Sequence, residues 1–121
     1  MKKREISRCL RKSDKSSRII IKPEWLNKLG EEIICVNFSE FIKIMNVRQW
    51  ENINYLLEQK YKDDPKKRRA LIRKYCALSR ELEPDKNGRV NLKGMIDPNE
   101  EYILIEYRNS IEIYKKENID K

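Results

Sequence analysis

Residues 31–45, EEIICVNFSEFIKIM, and residues 100–114, EEYILIEYRNSIEIY, are two copies of one pattern at an offset of 69. Ile34 falls on Ile103, Phe38 on Tyr107, Ile42 on Ile111 and Ile44 on Ile113, so apolar matches apolar through two strands. Upstream of each copy a polar loop repeats at an offset of 71: Asp14, Lys15 and Arg18 fall on Asp85, Lys86 and Arg89. Ile19, Ile21 and Lys22 then fall on Val90, Leu92 and Lys93. A duplicated unit is expected to pack as two copies about a pseudo-twofold axis, as a homodimer would.

Local signals fill in the elements. Residues 1–12 read as an arm or a first edge strand, with Ile6 and Leu10 as isolated apolar anchors. The β-branched run Ile19–Ile21 favours a strand that Pro23 ends. PEWLNKLG reads as a short helix started by Pro23 and stopped by Gly30. IICVNF and FIKIM form a hairpin with Ser39-Glu40 at its tip, and EEYILIEY and SIEIY a second with Arg108-Asn109 at its tip. Between the copies the period changes to that of a helix. Asn46 caps a stretch in which Trp50, Ile53, Leu57 and Tyr61 recur. KDDPKK interrupts, and within it Asp64 and Pro65 start another, whose stripe is Leu71, Tyr75, Leu78 and Leu82. Two such helices with a short joint are an αα-hairpin. The final KKENIDK reads as a frayed end. The expected fold is therefore α+β: β unit 1–46, helical hairpin 47–81, β unit 82–121.

Charge narrows the function classes. Residues 1–30 hold ten basic and three acidic side chains, and residues 60–93 hold twelve and five, each segment net +7 within a chain of net +8. Each basic segment contains one copy of the loop, the pattern of a polyanion footprint. The chain has no His, and Cys9, Cys35 and Cys76 are widely spaced. That disfavours a Cys/His zinc site and any His-dependent catalytic site, so no metal, cofactor or small-molecule substrate is expected. Scattered thiols, no membrane-length apolar run and no signal-peptide pattern suggest a cytoplasmic protein without a membrane partner, and the polyanion footprint suggests a nucleoid-associated one. At 39% hydrophobic and 40% charged residues the chain is lean in apolar content, which favours burial by self-association.

The order of these parts resembles the MraZ family of bacterial transcriptional regulators. The resemblance rests on DKSSR (14–18) followed by IIIKP, on DKNGR (85–89), on VRQWENINYLLEQK after the first unit, and on DDPKKRRALIRKYCALS. It extends from about residue 8 to residue 115. The chain departs from the family pattern at Ser17, where Gly is preferred, and at Leu92-Lys93-Gly94, where Ile-Pro is usual. The resemblance implies two tandem SpoVT/AbrB-type swapped-hairpin units and a ring-like homo-oligomer. It also implies sequence-specific binding of double-stranded DNA at short direct repeats in a promoter. The residue chemistry agrees. Arg18 and Arg89 offer rigid forks for base edges or phosphates. Lys15, Lys86, Arg8, Arg11 and Lys12 supply phosphate contacts that set orientation. Asp14 and Asp85, which DNA would repel, orient the loops. The competing readings are an AbrB-type antitoxin that binds DNA and a toxin, a structural assembly protein that binds no DNA, and, least favoured, an enzyme.

Overall fold

The computed structural model describes residues 4–119. Eight strands and four helices follow one another as β1 (Ser7–Lys12), β2 (Arg18–Ile20), α1 (Pro23–Leu29), β3 (Ile33–Asn37), β4 (Ile42–Asn46), α2 (Val47–Lys60), α3 (Pro65–Ala77), β5 (Ser79–Leu82), β6 (Arg89–Asn91), β7 (Glu101–Glu106), β8 (Ser110–Lys115) and α4 (Lys116–Ile119). The fold is α+β. Six antiparallel strands form one sheet in the order β1-β7-β8-β4-β3-β5, and β2 pairs with β6 in a separate two-stranded ribbon.

The strand order carries the sequence repeat into space. Exchanging the copies (β1 with β5, β3 with β7, β4 with β8) turns the six-strand order into itself read backwards. The registers obey the same exchange. Ile42 lies opposite Ile113 and Ile44 opposite Ile111 at the centre of the sheet, and Ile19 lies opposite Val90 at the centre of the ribbon. The two copies interleave: β1 pairs with β7, and β5 with β3. Sheet formation thus needs both ends of the chain together.

Strand alternation explains why the hairpins read as apolar throughout. Ile33, Cys35, Ile42, Ile44, Leu104, Ile111 and Ile113 point to the inner face, where they pack with Ile19, Ile21, Val90 and Leu92 of the ribbon segments and with Trp25 and Leu29 of α1. Ile34, Val36 and Met45 point to the outer face, where Trp50 and Ile53 of α2 and Tyr75 of α3 cover them. Each face therefore demands apolar residues for its own partner layer. At about 25 cal/mol per Å² of buried apolar area, each fully buried Ile here contributes on the order of 2 kcal/mol.

Helix starts follow the local signals. Asn46 Oδ1 accepts the Gln49 N–H at 2.8 Å and Asp64 Oδ1 the Lys67 N–H at 3.1 Å. Pro23 and Pro65 occupy first-turn positions, where the missing N–H costs nothing.

Three details differ from expectation. The α3 stripe does not reach Leu82: the helix ends at Ala77, and Ser79–Leu82 form β5 along the edge of β3. Leu78 and Leu82 are four apart, which fits a helix, but Leu82 is buried in the inner core while Leu78 packs against the outer cluster. Ile6 and Leu10 are about half exposed and anchor nothing; Cys9, on the other face of β1, packs on the core instead. The end of the chain contains a short helix, Lys116–Ile119, where fraying was expected; residues 120 and 121 lie outside the described part.

Candidate nucleic-acid interface

Each Asp-x-x-x-Arg stretch closes on itself by the same five hydrogen bonds. In the first, the Ser17 N–H donates to Asp14 O at 3.1 Å and the Asp14 N–H to Arg18 O at 3.0 Å. Asp14 Oδ1 accepts the N–H groups of Ser16 at 2.8 Å and Arg18 at 2.9 Å, and Oδ2 accepts Arg18 Nε–H at 2.8 Å. In the second, the Gly88 N–H donates to Asp85 O at 2.9 Å and the Asp85 N–H to Arg89 O at 3.0 Å. Asp85 Oδ1 accepts Asn87 and Arg89 N–H at 2.9 and 3.0 Å, and Oδ2 accepts Arg89 Nε–H at 2.7 Å. An Asp is required because only a short carboxylate can serve its own following backbone and a side chain four residues on. These donors, the Arg18 or Arg89 backbone N–H foremost, hold both carboxyls below the usual aspartate range.

The turn residue is left-handed in both loops, Ser17 at φ 59° and Gly88 at φ 80°. Their carbonyls reach across the ribbon. Gly88 O accepts the Ile21 N–H at 2.9 Å and Ser17 O the Leu92 N–H at 3.0 Å, so each loop extends the pairing of the other copy's strand. The base of the first loop is tied down further by buried Ser13, whose Oγ donates to Asp97 O at 2.7 Å and accepts the Glu100 N–H at 3.0 Å.

Ribbon register decides what the loops display. Arg18 lies opposite Asn91 and Ile20 opposite Arg89, on either side of the central Ile19–Val90 pair. Ile19 and Val90 are buried in the core. By alternation, Arg18, Ile20, Arg89 and Asn91 share the outward face. Both arginines therefore stand on one surface, two residues apart along the ribbon, or about 7 Å. Each guanidinium is held by its Nε, and no partner for its Nη atoms occurs among the described residues. The clamp thus fixes the stem of the side chain while leaving its outer donors available.

The remaining cations divide. Lys15 and Lys86 sit exposed at the loop tips, and Lys12 is exposed at the end of β1. Arg11 reaches the ribbon, its Nε–H donating to Ile20 O at 3.1 Å. Arg8 is not brought to the ribbon: it alternates with Arg11 on β1, stands opposite Ile105 of the outer face, and pairs with Glu5 at 2.5 Å.

Sequence reasoning missed three residues of this surface. Arg80 donates from Nη1 to Asn91 O at 3.4 Å and from Nη2 to Lys93 O at 2.8 Å, bracing the ribbon edge opposite the one held by Arg11. Its position in a short edge strand was masked by the helical spacing of Leu78 and Leu82. Ile20 and Asn91 are exchange-related and outward-facing; their signal was present in the alternation of the ribbon strands, but only the pairing register turns it outward.

Among the described residues no group of three or more His, Cys, Asp or Glu side chains is placed to hold a metal ion, and no helix is long and apolar enough to cross a membrane. Comparison with protein-family models and with curated proteins finds no match to this chain.

Proposed function

We propose that the chain is a sequence-specific DNA-binding regulator of the MraZ type, acting on double-stranded DNA through the β2–β6 ribbon and its two loops. One observation carries the reading: two equivalent Asp-clamped arginines stand on the outward face of a single two-stranded ribbon. A two-stranded ribbon fits the major groove of B-form DNA, and arginine reads guanine O6 and N7 there. Lys15 and Lys86 flank the arginines, where phosphates would pass. The interleaved strand order supports two tandem SpoVT/AbrB-like swapped hairpins as the evolutionary source of the fold. The outer face of β1, β7 and β8, which leaves Ile6 and Leu10 exposed and among the described residues has no helical hairpin of its own, supports self-association into a ring-like homo-oligomer.

In vitro selection from a randomised duplex pool tests the reading. The protein should enrich a short motif, and genomic footprinting should place a run of that motif, as direct repeats, in a promoter. Arg18→Lys keeps the charge but loses the fork; it should lower affinity for the enriched motif about 10- to 100-fold and affect unrelated duplex far less. A pool with no enrichment would defeat the reading and favour a structural assembly protein.

A further inference from the structure

The cations of α3 have no part in the ribbon surface. This helix holds Lys66, Lys67, Arg68, Arg69, Arg73 and Lys74 in 13 residues, with no acidic side chain and no buried residue. Tyr75 packs it onto the outer cluster, so α3 lies across the six-stranded sheet from the ribbon.

Most of these charges are placed against the interest of the helix; Lys74, in the last turn, is the one that suits its dipole. Lys66, Lys67 and Arg68 occupy the first turn, where the helix dipole disfavours cations; Asp63 and the Asp64 cap, just before the helix, supply the opposing charge. Lys66 and Arg69 are spaced i,i+3, and Arg69 and Arg73 i,i+4, so each pair repels. Among the described residues none of the six cations is ion-paired; Arg69 donates only to Pro65 O at 3.3 Å, and Lys67 lies 5.2 Å from the Tyr61 ring. Helix stability does not account for this arrangement.

Geometry directs five of the six charges outward; Arg68 is half-buried on the Tyr75 side. At 100° per residue, Lys66, Arg69 and Arg73 fall within about 60° of arc, opposite Tyr75, and Lys67 and Lys74 widen the strip to about 160°. Ala70 and Ala77 lie along the same outward face, so nothing bulky stands between the cations. Lys66 to Lys74 spans about 12 Å, along which duplex DNA presents about seven phosphate charges.

We propose that the outward face of α3 is a second DNA-contacting surface, one that binds the phosphate backbone without regard to sequence. It rests on the reading of the chain as a DNA-binding protein but not on the ribbon's role. Because the two surfaces lie on opposite faces of the sheet, a protomer that uses both must engage either a bent duplex or two separate segments.

Fluorescence anisotropy with a labelled 30-bp duplex of arbitrary sequence tests this, using the full chain over a series of salt concentrations. Lys66→Gln/Arg69→Gln/Arg73→Gln should reduce the slope of log affinity against log salt by about 2–3, at roughly 0.9 per phosphate contact, and weaken binding at least about tenfold near 0.1 M salt. Arg69→Lys/Arg73→Lys, which keeps the charge, should bind as the parent does; circular dichroism confirms that both variants fold. Lys15→Ala/Lys86→Ala serves as the ribbon control. An unchanged slope in the α3 triple variant, with the ribbon control impaired, overturns the inference and leaves the ribbon reading in place. Loss in the α3 variant alone upholds the inference and overturns the ribbon reading. A parent protein that binds no duplex overturns both; a triple variant that keeps its duplex binding and loses binding only to vesicles containing anionic phospholipid overturns the inference alone.

Discussion

Arg18 and Asp14 grip each other twice: the aspartate carboxylate accepts the arginine's backbone N–H through Oδ1 at 2.9 Å and its Nε–H through Oδ2 at 2.8 Å. The loop and the side chain that it presents are therefore set by one carboxylate. Asp14→Asn keeps an acceptor for the backbone but turns an amide donor toward Arg18 Nε. Both that variant and Arg18→Lys should lower Tm by about 2–4 °C. Only Arg18→Lys should change the ratio of cognate to unrelated duplex affinity by the full factor expected for a lost base contact. Thermal melts and competition anisotropy on the two variants check both statements.

The same grip has a pH signature. The folded state lowers the Asp14 and Asp85 pKa values below their ordinary 3.8. Carboxylates stabilised in this way contribute in full above that value, and the contribution is lost as pH falls through the lowered folded values. Asp14→Asn/Asp85→Asn should therefore lie closest to the parent in stability at the most acidic pH at which both still fold and diverge from it toward pH 5. Urea titrations at several pH values across that window measure the divergence; a constant gap would contradict it.

Ser17 and Gly88 occupy the same left-handed turn position at unequal cost. Ser17→Gly removes the steric cost of a β-carbon at φ 59° and should stabilise the fold by about 0.5–1 kcal/mol after the added freedom of the unfolded chain is counted. Gly88→Ala is the harsher change: the new β-carbon would meet Ile21 O at 2.8 Å, in backbone that cannot step aside. A loss of about 1–3 kcal/mol is expected. Equilibrium denaturation should give opposite signs for the two variants.

The thiols should react in order of access. Burial pushes the Cys35 thiol up to about 11, whereas Cys76 is exposed on α3. At pH 8 only about 0.1% of Cys35 would be thiolate. Iodoacetamide followed by peptide mass spectrometry should label Cys76 long before Cys35 in the native protein, and all three cysteines together after denaturation.

The ribbon is symmetric in its arginines but not between them. Ile20 presents an apolar side chain that suits a thymine methyl, and its counterpart Asn91 presents an amide whose oxygen already accepts the Lys93 N–H at 2.9 Å, leaving its NH₂ to donate. Selection from a random pool should yield a motif with distinguishable halves. Ile20→Asn should make the halves more alike; an unaltered motif would take Ile20 out of base recognition.

Local chemistry settled most of the elements by itself. Asn46, Asp64 and Pro65 start the long helices because capping is a contact among neighbours in the chain, and the Asp14 and Asp85 loops close on their own backbone for the same reason. The repeat was also legible, since two copies of a pattern need no partner to be seen. Tertiary structure alone decided which strands pair. Backbone hydrogen bonds do not depend on side-chain identity, so nothing local told β1 to pair with β7 in place of its own hairpin; burying both apolar faces of the hairpins required it. The same pairing settled Leu82, whose spacing from Leu78 fitted a helix until β3 offered an edge. It also placed Arg18 and Arg89 on one face, because a register that sets Ile19 against Val90 turns both arginines outward together, and it decided which face of β1 meets the ribbon, bringing Arg11 there and leaving Arg8 on the other side, where strand alternation puts it.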